Sequence, residues 1–463
     1  MKVNPNMFRP ADIRGRISKG ELNLDSVELV AKAYGTFLRK RGIDKVVVGY
    51  DSRPSSKSFN EAVVEGLLST GCNVIELGML LTPIVYWAQY HLQSEGAVMI
   101  TGSHNPPEWN GFKLAKGYSY TISGEEVQEI RRIIEDAAFD KGRGSYQEEP
   151  VVEAYFQDTL SRSQISKSLK LIVDCGNGTA GAFAPNLLAR TGCDVVELYC
   201  DIDPSFPHHF PDPAIVEHNR DLIERVRQDK ADLGLSFDGD GDRLGVIDDQ
   251  GNTVWADQLL VVWSREIIQS QPGAKIVFDV KCSQVLADEI KRAGGVPVMW
   301  RTGNSFIKQK CKEVNAPLGG EMSGHLFFAD RYYGFDDSLY SALRLLETLS
   351  RHDKALSEVL ADIPHYYSTP EIRVDCPDED KFSVVNKLVQ EFKADGYKVF
   401  DLDGARVSFD EGWGLVRASS NLPVLTLRFE AKTKEKLNDY MDLFRRKLSA
   451  FSEVSSQWAN VST

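Results

Sequence analysis

The chain has 463 residues, 42% of them hydrophobic and 26% charged, a makeup that fits a globular protein of about three domains. Its formal net charge of −13 makes nucleic acid or an anionic membrane a poor partner, so an anionic ligand would need its cations gathered locally. The seven cysteines are scattered with no CxxC, which predicts reduced thiols in a cytoplasmic protein, not disulfides or a zinc site. No apolar run reaches the about 18 residues of a membrane span, and Met1-Lys2-Val3-Asn4-Pro5 has no signal-peptide core.

In chain order, Lys45 to Tyr50 reads as a buried strand, Phe59 to Thr70 as an amphipathic helix, and Asn73 to Leu77 and Gly96 to Ile100 as further strands. Thr101-Gly102-Ser103-His104-Asn105-Pro106-Pro107 follows, and its prolines exclude helix. A hydroxyl and an imidazole are thus displayed past a strand end, where open α/β sheets keep their chemistry. The motif alone fits a nucleophilic serine, a phosphate carrier or a plain turn.

Similar units begin at Leu169 to Asp174 and at Lys275 to Asp279, about a hundred residues apart, which predicts three similar α/β domains with mixed sheets. The last part reads as two strands, Arg406 to Asp410 and Val424 to Glu430, and a long helix over Lys432 to Phe451, an α+β pattern. Turn signals place the expected domains at 1–147, 148–252, 253–366 and 367–463.

After the strand-like Ala231 to Phe237 comes Asp238-Gly239-Asp240-Gly241-Asp242-Arg243. Three carboxylates at alternate positions repel one another unless a cation joins them, and the glycines let their oxygens converge. Hard oxygen ligands imply Mg²⁺ or Ca²⁺. An EF-hand would want Glu at its twelfth position, where Asp249 stands. A phosphatase nucleophile and a solvated acidic turn are the other readings of this loop. Further on, Gly319-Gly320-Glu321-Met322-Ser323-Gly324-His325 offers a carboxylate for sugar hydroxyls and an imidazole for proton transfer, or a structural histidine. Gly414 to Pro423 reads as a loop whose Arg417, Ser419, Ser420 and Asn421 compose a phosphate cradle or an ordinary polar loop.

These four motifs, in this order and one per expected domain, resemble the α-D-phosphohexomutase superfamily, and specifically its bacterial phosphomannomutase/phosphoglucomutase group, over essentially the whole chain. The resemblance implies four domains around a central cleft, Mg²⁺ as cofactor and hexose phosphates as substrates. It implies phosphate transfer between the 1 and 6 positions of mannose or glucose through a hexose 1,6-bisphosphate. Ser103 matches the phosphoserine, His104 its neighbour, and Asp238, Asp240 and Asp242 the metal ligands, with the phosphate on Ser103 completing the set. Arg14, Lys113 and Arg243 match cations of the reacting centre, and Lys113 and His325 the proton carriers. Glu321 and Ser323 match the residues that hold the sugar's hydroxyls, Lys281, Gly303 and Asn304 further substrate contacts, and Arg417, Ser419, Ser420 and Asn421 the grip on the non-reacting phosphate. A monomer or weak homo-oligomer is expected, with no nucleic-acid or membrane partner. The chain departs from the family at Pro10-Ala11, where Ala-Tyr is usual, at Asn304, where dual-specificity members carry His, and at Ser420-Asn421, where Asn-Thr is common. Phosphoglucosamine mutase and a non-catalytic sugar-phosphate binder are the alternatives on the same fold. Met322, where the glucosamine branch carries Gln, favours glucose and mannose phosphates.

Overall fold

The computed structural model of the chain describes residues 3–9, 12–419 and 422–458. The first sheet contains β1 (Ile13–Arg16), β2 (Lys45–Tyr50), β3 (Asn73–Met79), β4 (Gly96–Ile100), β5 (Trp109–Lys116), β6 (Tyr120–Thr121) and β7 (Tyr146–Glu148). The second contains β8 (Lys170–Asp174), β9 (Asp194–Leu198), β10 (Leu233–Phe237), β11 (Leu244–Ile247) and β12 (Thr253–Val254). The third contains β13 (Lys275–Asp279), β14 (Val296–Trp300), β15 (Leu318–Gly320) and β16 (Leu326–Phe328).

One topology recurs in these three sheets. The strand orders β3-β2-β4-β5, β9-β8-β10-β11 and β14-β13-β15-β16 are equivalent. In each, three strands run parallel and the last turns back antiparallel. The apolar runs of β2, β8 and β13 are buried because helices cover both sheet faces. The expectation of three like α/β units with mixed sheets therefore holds at the level of topology, although sequence similarity between them is faint. A single apolar cluster, including Leu81, Trp87, Tyr155, Leu171, Leu235, Leu260, Phe278 and Tyr340, runs through all three units.

The carboxyl-terminal part is richer than its sequence pattern suggests. Six strands, β17 (Tyr367–Ser368), β18 (Ile372–Asp375), β19 (Lys398–Phe400), β20 (Ala405–Phe409), β21 (Gly412–Ala418) and β22 (Val424–Ala431), form an antiparallel sheet. Two helices, Lys381–Ala394 and Lys434–Leu448, pack against this sheet. β21 escaped the sequence reading because Gly412 and Gly414 interrupt its pattern. Gly414 is required by packing: a Cβ there would lie 2.7 Å from the Phe444 ring and 2.9 Å from that of Phe429. The last helix starts two residues later than expected, where the Thr433 side chain accepts a hydrogen bond from the Lys436 backbone N–H. All seven cysteines are buried free thiols. Among the described residues no helix is long and apolar enough to cross a membrane.

Candidate active site

The three motif loops occupy one equivalent place, the turn from the third parallel strand into its antiparallel neighbour. Ser103 lies between β4 and β5, Asp238 to Arg243 between β10 and β11, and Glu321 to His325 between β15 and β16. The loops meet backbone to backbone at glycines. A Cβ on Gly239 would come within 2.4 Å of the Ser103 carbonyl oxygen. One on Gly324, whose φ is +99°, would come within 2.6 Å of the Leu244 carbonyl oxygen. The Leu244 N–H donates to Gly324 O at 3.1 Å, and Arg243 and His325 form an isolated antiparallel bridge. Glycine spacing in the motifs thus reflects close approach of loops as well as turn formation.

Ser103 is buried with φ +49°, a left-handed conformation uncommon for a residue with a side chain. Its Oγ donates to Asp238 Oδ2 at 3.0 Å and lies 3.1 Å from Nδ1 of His104. Burial, followed by the nearby Arg243 and Arg14, pushes the His104 imidazole well below its usual value, so it is neutral. Arg14, from β1, reaches the same loop by donating to Asn105 Oδ1 at 2.7 Å.

Asp238, Asp240 and Asp242 are completely buried and close enough for one cation to join them. Burial and repulsion from Asp242 and Asp240 push the Asp238 carboxyl well above its usual range. The Asp242 and Arg243 N–H groups both donate to Asp238 Oδ1, at 2.9 and 3.1 Å. Asp240 Oδ1 and Asp242 Oδ1 are buried without a hydrogen-bond partner. Unpartnered oxygens on converging buried carboxylates are the donor set of a hard divalent cation, and the residues fit one. The Lys113 ammonium, on β5, donates to Asp240 Oδ2 at 2.6 Å and also to Asp242 Oδ2. Burial alone would lower its pKa, but Asp240 and Asp242 hold it well above the usual lysine value.

On the opposite side, Arg243 Nε donates to His325 Nε2 at 3.0 Å, which assigns the histidine proton to Nδ1. That nitrogen faces Asp336 at 3.0 Å. Asp336 also accepts from Asn304 Nδ2 at 2.9 Å and pairs with Lys308 at 3.6 Å. Glu321 accepts from the Gly303 N–H at 2.5 Å, joining the two sugar-type segments, while Ser323 lies half-buried on the same turn. Lys281 pairs with Glu371 of the fourth unit at 3.4 Å. Arg417 Nε donates to Asp403 at 3.0 Å, and the same carboxylate accepts from the Thr302 N–H at 2.9 Å. The structure therefore brings Arg14, Ser103, His104, Lys113, the three aspartates, Arg243 and His325 into one cluster. Gly303, Asn304 and Glu321 adjoin it, and Lys281 and Arg417 form a second cationic centre between the third and fourth units.

One expectation is corrected. Arg417 is not on a loop: β21 runs through Ala418 and is hydrogen-bonded to β20 and β22, so its backbone N–H groups serve the sheet. The loop begins at Ser419, whose N–H donates to Val424 O at 3.0 Å. Ser420, Asn421, Pro10 and Ala11 lie outside the described residues. Sequence reasoning also missed buried or half-buried groups that contact the site residues: Arg53, Thr82, Asp212, Asp336 and Asp403. Thr82 Oγ1 donates to Asp240 at 2.5 Å, and Asp212 pairs with Arg243 at 3.5 Å. An acid directly after the Gly334-Phe335 turn was the one signal available for Asp336.

Four consecutive segments match the parts of one family. Residues 5–141, 153–251 and 255–367 match alpha/beta/alpha domains I, II and III of phosphoglucomutase/phosphomannomutase, and residues 371–447 match its C-terminal domain. The chain belongs to the phosphoglucomutase/phosphomannomutase family. It is similar to the phosphomannomutase/phosphoglucomutase of Pseudomonas aeruginosa, with 42% identity over 445 residues and 96% of each chain covered. It is 39% identical over 448 residues to the phosphoglucomutase of Neisseria gonorrhoeae, again with 96% of each covered. A crystal structure of a family protein from Burkholderia thailandensis superposes with a TM-score of 0.91 at 40% identity, covering 97% of this chain and 98% of that one. The family assigns the chain to the phosphotransferases that act as mutases.

Proposed function

We propose that the protein moves phosphate reversibly between the 1 and 6 positions of glucose and mannose phosphates, with Ser103 as the phosphate carrier. The observation that carries this reading is the Ser103 Oγ, aimed at Asp238 within a ring of three aspartates and the cations Arg14, Lys113 and Arg243. A hydrolase would need His104 as a general base, but it is the sequence neighbour of Ser103, and burial together with the nearby cations Arg243 and Arg14 pushes its imidazole well below the usual value, which makes it a weak proton acceptor. Phosphoryl transfer needs positioning and charge, and this site is rich in both.

The reaction begins with phosphate on Ser103. The free hydroxyl of a hexose monophosphate attacks the phosphorus, and the bond to Ser103 Oγ breaks. The hydroxyl proton passes to Nε2 of His325, the ring nitrogen that carries no proton, and the departing Ser103 oxygen takes a proton from the Lys113 ammonium. Lys113 and Arg243 carry positive charge beside the transferred group, and Arg14 holds the loop through Asn105. Asp238, Asp240 and Asp242 would hold Mg²⁺, which supplies a further positive charge against the phosphoryl oxygens when bound. The resulting 1,6-bisphosphate turns over, and its other phosphate returns to Ser103. Throughout, Glu321 and Ser323 hold sugar hydroxyls, while Lys281, Arg417 and Ser419, with Ser420 and Asn421, hold the non-reacting phosphate.

The test is a coupled assay of glucose 1-phosphate and mannose 1-phosphate with Mg²⁺ and glucose 1,6-bisphosphate, for wild type and Ser103→Ala. Ser103→Ala should lose at least about 10³-fold in kcat, and intact-mass analysis should find one phosphate on wild type alone. Equal turnover by the two proteins sinks the reading. Faster turnover of glucosamine 6-phosphate than of either hexose phosphate would move the enzyme to the glucosamine branch.

A further inference from the structure

Arg53 has no part in the chemistry described above, yet it is among the most buried cations of the chain, 3% exposed. It follows β2 as Asp51-Ser52-Arg53, two residues beyond a buried aspartate. The equivalent turn after β13 places Lys281 two residues beyond Asp279, where it faces the second cationic centre. In the first unit the cation is turned inward. Its Nη2 donates to the carbonyl oxygens of Ser103 at 2.7 Å and Asn105 at 2.5 Å, and its Nη1 to those of Pro106 at 2.7 Å and Trp109 at 3.0 Å. All four acceptors belong to the segment that carries the serine.

The surroundings leave this side chain little freedom. Asp51 lies 3.3 Å from Arg53 Nε and accepts from the Gly102 N–H at 3.2 Å, so the acid and the guanidinium grip the segment from its two ends. A Cβ on Gly102 would lie 2.5 Å from the guanidinium carbon and 2.8 Å from Trp109 O, so only glycine lets the arginine pass. Phe206, from the second unit, places its ring 5.5 Å from the guanidinium carbon. Inside this grip Ser103 holds its left-handed φ of +49°. Such a conformation persists only where its surroundings impose it.

We propose that Arg53 is the positioning residue of the phosphoserine: it holds Ser103 in the left-handed conformation that aims Oγ at Asp238. The inference rests on the reading of Ser103 as phosphate carrier. A planar guanidinium with several fixed donors suits four converging carbonyls, and an ammonium cannot reproduce that geometry. Arg53 acts through the loop backbone and touches neither sugar nor phosphate.

The test compares Arg53→Lys and Arg53→Ala with wild type and Ser103→Ala, using the full chain, Mg²⁺ and glucose 1-phosphate. Both Arg53 variants should lose about 100-fold in kcat while KM changes by less than about 3-fold, because aim is lost and sugar contacts are kept. The phosphate found on Ser103 by intact mass should fall, and added guanidinium ion, but not ammonium, should restore part of the Arg53→Ala rate. Should Arg53→Ala fail to fold, Arg53→Lys and Gly102→Ala carry the same kcat and phosphate readouts. Wild-type kcat in Arg53→Lys, or a loss that follows the folded fraction and does not respond to guanidinium, overturns the inference. If Ser103→Ala is as active as wild type, the phosphoserine reading fails and takes this inference with it. An inactive Ser103→Ala beside a fully active Arg53→Lys defeats the inference alone.

Discussion

The first three units and the fourth are joined in opposite ways. An apolar cluster with members between Val47 and Leu356 lies against all three sheets, so the sheets behind the Ser103, Asp238 and Glu321 loops share one core, although the first sheet also has a core of its own on its other face. The fourth unit has its own core around Val384, Phe392, Leu425 and Phe444, and meets the third through a small cluster of Val280, Trp413 and Leu415. Polar ties join the two units as well. Arg406 Nη1 donates to Val280 O at 2.6 Å and Cys282 O at 3.0 Å, Arg428 donates to Lys281 O at 2.5 Å, and the Gln284 N–H donates to Glu430 at 2.9 Å. Close-packed cores transmit position, whereas small polar interfaces permit relative motion. The contrast suits a reaction in which phosphate must transfer at one fixed point while the same sugar is gripped at either end.

The strongest way to break this picture is to loosen the fixed side. Gly239→Ala pushes a methyl against the Ser103 carbonyl, a backbone atom that cannot step aside. It should lower kcat by about 100-fold with KM little changed, read in the coupled assay alongside circular dichroism. An unchanged kcat would mean that the two loops need not touch. The movable side should answer differently. Arg406→Met removes a fully buried cation, whose pKa burial pushes down to about 10, and strips two carbonyls of their donor. It should cost about 1–3 kcal/mol, seen by calorimetry as an earlier transition for the fourth unit separating from the rest. A single shifted transition would show that the fourth unit melts with the others. Arg417→Lys keeps the charge but loses the Nε–H that donates to Asp403. It should raise KM about tenfold and leave kcat within about twofold; an equal loss in kcat would place Arg417 in the transferring step.

Which features could be read in advance follows from what each depends on. The three loops were legible because each couples a short buried strand to residues whose chemistry is local: Ser-His, three aspartates between glycines, Glu-Ser-His. Their common position after the third parallel strand was not, since it depends on strand order and not on residue type. Arg53 and Asp336 were invisible for a related reason. Arg53 serves carbonyl oxygens as far along the chain as Trp109, and Asp336 reaches back to Asn304 and His325. Neither partner set has a sequence signature. β21 was hidden by Gly414, which makes room for Phe429 and Phe444, and by Gly412, which lies against the Glu430 backbone, and with it went the fact that Arg417 projects from a strand.

The fixed side also carries one titratable pin. His209 Nε2 lies 3.1 Å from Asp174 at the end of β8, in the segment whose Pro211 packs against Gly176 and Gly239 and whose Asp212 pairs with Arg243. Burial opposes the imidazolium, but the hydrogen bond and charge of Asp174 prevail and raise His209 above its ordinary value. A histidine raised in the folded state contributes stability that is complete below about pH 6.5 and is lost as pH rises through the raised folded value. The melting temperature of wild type should therefore fall between about pH 6 and about pH 8 by more than that of His209→Asn, which keeps a polar side chain without the charge. The effect is the smallest of these, because it removes one ion pair and leaves the glycine contacts in place. Parallel pH profiles would show that the segment is held by packing alone. Convergence of the two proteins at high pH would show that the stabilisation belongs to the charged His209–Asp174 pair.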